Sequence, residues 1–262
     1  MTPENHQAVL LTEKSAGILR LTLNRPGQRN ALSGKLIDEL IAQLGAAEQD
    51  NAVRVVVIAA MGTAFCAGHD LTEMIALTRP QRQQLLGRCS EMMMALQRIP
   101  QPVIAQVQGV ATAAGCQLVA SCDLAVASSH ARFATPGVDI GLFCSTPAVA
   151  LSRSVPTKQA LRMLFTGAPV DARWAQQIGL VSDVVEEVDL ESATAALAEQ
   201  IASKSAACMG SGKQAFYRQQ GLSLDQAYAD AAAEMITNLD SAPAKEGIAA
   251  FLEKRKPVWP DC

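Results

Sequence analysis

A chain of 262 residues with 49% hydrophobic content can bury a sizeable core, which excludes a disordered protein and fits one large domain. A formal charge of -3 lacks the basic excess of nucleic-acid and membrane-surface binders, so neither partner is expected. Seven cysteines without a CxxC pair read as reduced thiols, and His6, His69 and His130 lack ligand-like spacing, so no metal site is expected.

From the amino terminus, Met1 to Gln7 lacks the charged and apolar regions of a secretory signal, and no run of about 18 apolar residues follows. The expected location is therefore cytoplasmic. Val9 to Thr12 and Ile18 to Leu23 read as a hairpin turning at Ser15-Ala16-Gly17. Asn24-Arg25-Pro26-Gly27 breaks that pattern, and Ser33 can cap a helix with Leu36, Ile37, Leu40, Ile41 and Leu44 at helical spacing. Arg54 to Ala60 is an apolar, β-branched run without polar alternation, the mark of a strand buried on both faces. Asp70 and Glu73 have the spacing of a capping box for the next helix. A polar helix through Gln81 to Arg98 turns Leu85, Met92, Met93 and Leu96 inward, until Pro100 and Pro102 end it. Pro102 to Val107 is a second buried strand, followed by a helix over Ala113 to Ser121 and strands at Leu124 to Ala127 and Ala131 to Ala134. Beyond Thr146 the pattern is helical except at Val181 to Val185, with Pro169-Val170-Asp171 as a helix entry and Gly179 as an exit. This is a mixed α/β chain in which residues 1–190 read as the core and 191–262 as a helical region of the same structural domain.

Two segments carry the chemistry. Ala64 to Met74 sets small residues where a buried strand gives way to a helix start, and Gly109 to Leu118 repeats that arrangement. The first N–H groups of a helix have no intrahelical acceptor and can face an oxygen that gains charge. One such connection is ordinary, whereas two can aim a pair of donors at one point, as an oxyanion hole requires.

With Asn24-Arg25-Pro26, Asn30-Ala31-Leu32, Thr166-Gly167 and Gly179-Leu180-Val181, these segments resemble the crotonase (enoyl-CoA hydratase/isomerase) superfamily, in family order over roughly Leu19 to Lys256. The resemblance implies a spiral of ββα units whose carboxy-terminal helices pack between subunits of a homotrimer or hexamer. It implies lyase or isomerase chemistry of fatty acid metabolism on an acyl-CoA thioester, with coenzyme A as part of the substrate and no bound cofactor. By resemblance, the backbone N–H groups of His69 and Ala114 form the oxyanion hole. Ala67, His69 and Leu71 line the adenine end of coenzyme A, Arg25 meets its phosphates, and Phe251 and Lys254 reach the nucleotide held by a neighbouring subunit.

The acid/base positions depart from the family. Gln117 stands where hydratases carry their first catalytic glutamate and Gly137 where they carry the second. A glutamine can orient a group but cannot accept a proton, and glycine does neither. Ser145 stands where other members place an aspartate, and Asp139 lies two residues past Gly137, on the same face of an extended segment. Cys116, Cys144 and Ser145 are the remaining nucleophile candidates, without a histidine partner in sequence. The stretch Gly137 to Ala148 resembles the branch called enoyl-CoA hydratase domain-containing protein 3, which also lacks the standard glutamates. Three readings stay open: an enzyme acting through a thioester enolate, a regulatory module that binds the ester without chemistry, and a structural oligomer without a ligand.

Overall fold

The computed structural model describes residues 8–260; Met1 to Gln7, with the signal reading and His6, and Cys262 lie outside the described residues. The expected hairpin is β1 (Leu10–Ser15) against β2 (Ile18–Leu23), with Leu10 opposite Leu23 and Ser15 opposite Ile18. It turns on Ala16 and Gly17, both at positive φ. Ser33 caps α1 (Gly34–Glu48) by accepting from the Leu36 N–H, and Leu36, Ile37, Leu40 and Leu44 are fully buried.

Three strand pairs follow, each leading to a helix. β3 (Val55–Ala60) and β4 (Ala64–Cys66) lead into α2 (Leu71–Ala76) and α3 (Arg79–Arg98). β5 (Val103–Val107) and β6 (Val110–Thr112) lead into α4 (Ala114–Ser121). β7 (Leu124–Ser128) and β8 (Arg132–Ala134) lead through a 3-10 turn, Pro136–Ile140, into α5 (Ser145–Ser154). Next come α6 (Thr157–Thr166), β9 (Val170–Asp171), α7 (Ala172–Gln177) and β10 (Asp183–Val185). The first strands of the pairs join a six-stranded sheet ordered β1-β2-β3-β5-β7-β10, parallel from β2 onward. The second strands form a smaller sheet ordered β4-β6-β8-β9. This is the spiral of ββα units.

Period-two alternation explains why β3 is apolar throughout. Val56 and Ile58 face the main core with α1 and α3, whereas Val55 and Val57 join Ile104 and Val126 under α8 (Leu190–Ala202). The expected boundary after residue 190 thus falls at the start of a helix that covers the sheet. α9 (Ala206–Gln219), α10 (Leu224–Asp240) and α11 (Ala242–Leu252) follow. Lys213 of α9 ties this group to the core: its Nζ lies 2.6 Å from Asp123 and donates to the carbonyls of Leu96 and Gln101 at 2.7 and 2.8 Å. Tyr217 donates to the other Asp123 oxygen at 2.8 Å. The Lys213 ammonium is thus matched by one carboxylate and two carbonyls, as burial of charge demands.

Local details differ from expectation. Asp70 accepts from the Glu73 N–H, but the Glu73 carboxylate reaches the Gly34 N–H at 3.0 Å instead of returning to Asp70, so half of the capping box is spent on tying α2 to α1. The helix ends at Ala76, and Thr78 with Gln81 opens a separate one. Asp171 does cap α7, but Val170 and Asp171 also add a strand edge to the small sheet.

Candidate active site

Asn30 fixes the first turn. It is fully buried, its Nδ2 donates to the carbonyls of Met61 and Ala64 at 2.8 Å each, and its Oδ1 accepts from the Arg25 N–H at 2.8 Å. The loop before α1 is thereby laced to the β3–β4 connection. Leu32 then donates to the Gly68 carbonyl at 2.7 Å and accepts from the Asp70 N–H at 3.0 Å. In a bridge of this kind the intervening residue points its own N–H the other way, so the His69 N–H faces away from Leu32.

The second turn meets it back to back. Ala113 precedes α4 at φ 49° and ψ -118°, a conformation that costs a residue with a Cβ about 1–3 kcal/mol. Its N–H is held by the Ala134 carbonyl at 2.9 Å. A Cβ placed on Gly68 would lie 2.9 Å from the Ala113 Cβ and 3.3 Å from the Ala114 nitrogen. One placed on Gly115 would overlap the Cys66 carbonyl oxygen and lie 2.7 Å from its carbon. The two turns are in backbone contact because both positions are glycine. Among the described residues, neither the His69 N–H nor the Ala114 N–H has an acceptor.

The same segments carry buried neutral groups. Gln117, on the first turns of α4, is 5% exposed and its Oε1 has no partner; His69 Nε2 and Thr135 Oγ1 are likewise buried and unpartnered. Burial pushes the His69 imidazole below its ordinary 6.5, so it is neutral at physiological pH. The depressed value has a stability consequence. Below pH 6.5 the unfolded imidazole takes up a proton that the folded one excludes, so stability is full above that pH and falls as the pH drops towards the folded value. Urea unfolding across this range should show His69→Gln losing less stability on acidification than the parent; parallel curves would contradict the buried neutral imidazole.

The other candidates sit in different surroundings. Asp139 does not share a face with Gly137, because the segment is a 3-10 turn in which residues two apart diverge by about 240°. It is exposed, and Gly137 is buried against Leu142 and the Cys144 Sγ. Ser145 is exposed and its Oγ donates to the Phe143 carbonyl at 3.4 Å. Burial pushes the Cys116 thiol up to about 12 and raises that of Cys144, which leaves neither a thiolate at neutral pH. The Arg25 guanidinium pairs with Asp70 at 2.9 Å and donates to the Ala31 carbonyl, so it braces the first turn. In return it holds the Asp70 carboxyl below the usual range.

The Ala67 N–H donates to the Arg29 carbonyl at 3.0 Å, and Leu71 is exposed at the start of α2. Phe251 and Lys254 are exposed at the end of α11, which packs on α9 and α10. The sequence reading used Asn30-Ala31-Leu32 and the turn through Ala113 as motifs of the resemblance, but gave Asn30, Leu32, Ala113 and Thr135 no individual role in the site. No group of three or more metal-ligating side chains occurs among the described residues, and none of their helices is long and apolar enough to cross a membrane.

Residues 13–262 match the family described as Enoyl-CoA hydratase/isomerase. The chain is 49% identical over 253 residues to the zebrafish (Danio rerio) enoyl-CoA hydratase domain-containing protein 3, mitochondrial, covering 96% of this chain and 88% of that one. Among solved structures, an enoyl-CoA hydratase of Mycobacterium smegmatis superposes with a TM-score of 0.95 at 49% identity, over 97% of this chain and 99% of that one. Human enoyl-CoA hydratase domain-containing protein 3 gives 0.92 at 45% identity, over 96% and 100%. The mitochondrial names of the zebrafish, Xenopus laevis and human relatives overturn the cytoplasmic expectation. That expectation rested on the lack of a secretory signal, which says nothing about organelle targeting by amphipathic, arginine-rich leaders.

Proposed function

The chain belongs to the enoyl-CoA hydratase/isomerase family, and we propose that it binds an acyl-CoA thioester and stabilises the enolate of that ester between the N–H groups of His69 and Ala114. The observation that carries this reading is the backbone contact of the two turns through Gly68 and Gly115, with both donors unengaged. When the α-carbon of a thioester reacts, charge gathers on the carbonyl oxygen, and each fixed donor stabilises it by about 3–4 kcal/mol. Coenzyme A belongs to the substrate, its adenine lying along Ala67, His69 and Leu71.

The acid/base half of hydration has no residue to perform it. Gln117 offers an amide, Asp139 is exposed on a 3-10 turn, and Ser145 is exposed with its Oγ on the Phe143 carbonyl. Loss of a positioned general acid or base removes about 10²–10⁴-fold of rate. Hydration of crotonyl-CoA is therefore expected to run at least about a hundredfold slower than in a hydratase with both glutamates, and a rate within about tenfold would overturn this assignment. A panel of enoyl-, dienoyl-, malonyl- and hydroxyacyl-CoA esters separates the enzyme from its alternative, a binding or regulatory module. Steady turnover of any ester selects the enzyme.

The homotrimer or hexamer belongs to the same proposal. Helix α10 buries none of its residues within the chain, and Leu224, Tyr228, Met235 and Ile236 are exposed along it, a length of apolar face that a second copy would cover. In that arrangement Phe251 and Lys254 serve the site of a neighbour.

A further inference from the structure

The segments that carry the two turns and the glutamate positions, Ala64 to Ala76, Gly109 to Ser121 and Arg132 to Ala148, hold only three acidic side chains between them. Asp70 is paired with Arg25 at 2.9 Å, Glu73 accepts from the Gly34 N–H at 3.0 Å, and Asp139 is exposed. Gln117 and Gly137 are buried and carry no charge.

That composition divides the reactions that pass through a thioester enolate. Hydration and isomerisation need a group that takes or delivers a proton at the α- or β-carbon. Loss of carbon dioxide from a thioester with a carboxylate on its α-carbon needs none. The bond between the α-carbon and the carboxylate breaks, its electron pair becomes the enolate, and carbon dioxide leaves. The α-carbon then takes a proton from water, and the negative charge of the carboxylate ends on the hydroxide that remains.

The charges suit the same substrate. Two glutamates would repel a carboxylated ester, and like charges a few ångströms apart repel strongly where water is excluded. An amide and a glycine remove that repulsion. Charge that leaves the carboxylate moves to the carbonyl oxygen, where fixed donors act on it most strongly as it develops. We propose, resting on the oxyanion pair of His69 and Ala114, that the protein decarboxylates a malonyl-type thioester, and that Gln117 and Gly137 in place of two glutamates admit its α-carboxylate.

Malonyl-CoA and methylmalonyl-CoA, incubated with the full-length protein in deuterium oxide, should release carbon dioxide at least about a hundredfold faster than in buffer, giving acetyl-CoA and propionyl-CoA with deuterium on the α-carbon. Butyryl-CoA, without the carboxylate, should take up no deuterium, because no base removes its α-proton. Gln117→Glu, shown to be folded by its unfolding curve, should slow the release at least about tenfold by returning a negative charge. No release above the buffer rate, deuterium uptake by butyryl-CoA, or an unchanged rate in the folded variant overturns the proposal. If release fails while acetoacetyl-CoA binds more tightly than free coenzyme A, the oxyanion pair stands without this chemistry; equal affinities bring down both.

Discussion

Gly115→Ala is expected to abolish the preference of the protein for a thioester over free coenzyme A. The added methyl would overlap the Cys66 carbonyl, and backbone cannot retreat as a flexible side chain does, so the two turns must part. Overpacking of this kind costs about 1–3 kcal/mol of stability. The larger effect falls on function, because a donor displaced from its aim forfeits about a hundredfold or more in stabilising the oxyanion. Calorimetric comparison of parent and variant, with unfolding curves to confirm that both are folded, checks this. A variant that keeps the parent preference would show that the contact does not align the donors.

Gly137→Glu, alone or with Gln117→Glu, is expected not to create a hydratase. In a chain that had merely lost a side chain, restoring it would restore chemistry. Here the space is filled: a Cβ at position 137 would overlap the Leu142 carbonyl oxygen and lie 2.8 Å from the Cys144 Sγ. The glutamate must either expel the segment from Leu142 to Cys144 or bury an unpaired carboxylate, and the expected loss of stability is about 2–4 kcal/mol. Crotonyl-CoA hydration by the double variant should stay at the parent level. A rise of about a hundredfold, the scale of one acid/base group, would mean that the loop yields and that the site is two substitutions from hydration.

These expectations depend on features that differ in how far a sequence reveals them. The Arg54 to Ala60 strand, the Ser33 cap and the two small-residue turns were legible because each is a local pattern with one physical solution. The spiral of ββα units that joins those turns followed from family resemblance alone, since parallel pairing links residues far apart in the chain. Glu73 was misread for the same reason: its partner, Gly34, is distant in sequence, as is the Asp70 that Arg25 meets, and nothing local says which acceptor or donor a side chain will find. Asp139 turned on one backbone torsion pattern, as an extended segment and a 3-10 turn give opposite answers about which residues share a face. The closure around Gly137 was invisible, because glycine advertises what it permits and not what presses against it.

The most direct test of the oxyanion pair is calorimetric titration of the full-length protein with acetoacetyl-CoA, a stable ester that resembles an enolate, beside free coenzyme A. Aligned donors predict that the ester binds at least about tenfold more tightly. Equal affinities would mean that the two N–H groups do not recognise the carbonyl, and would contradict the account at its centre.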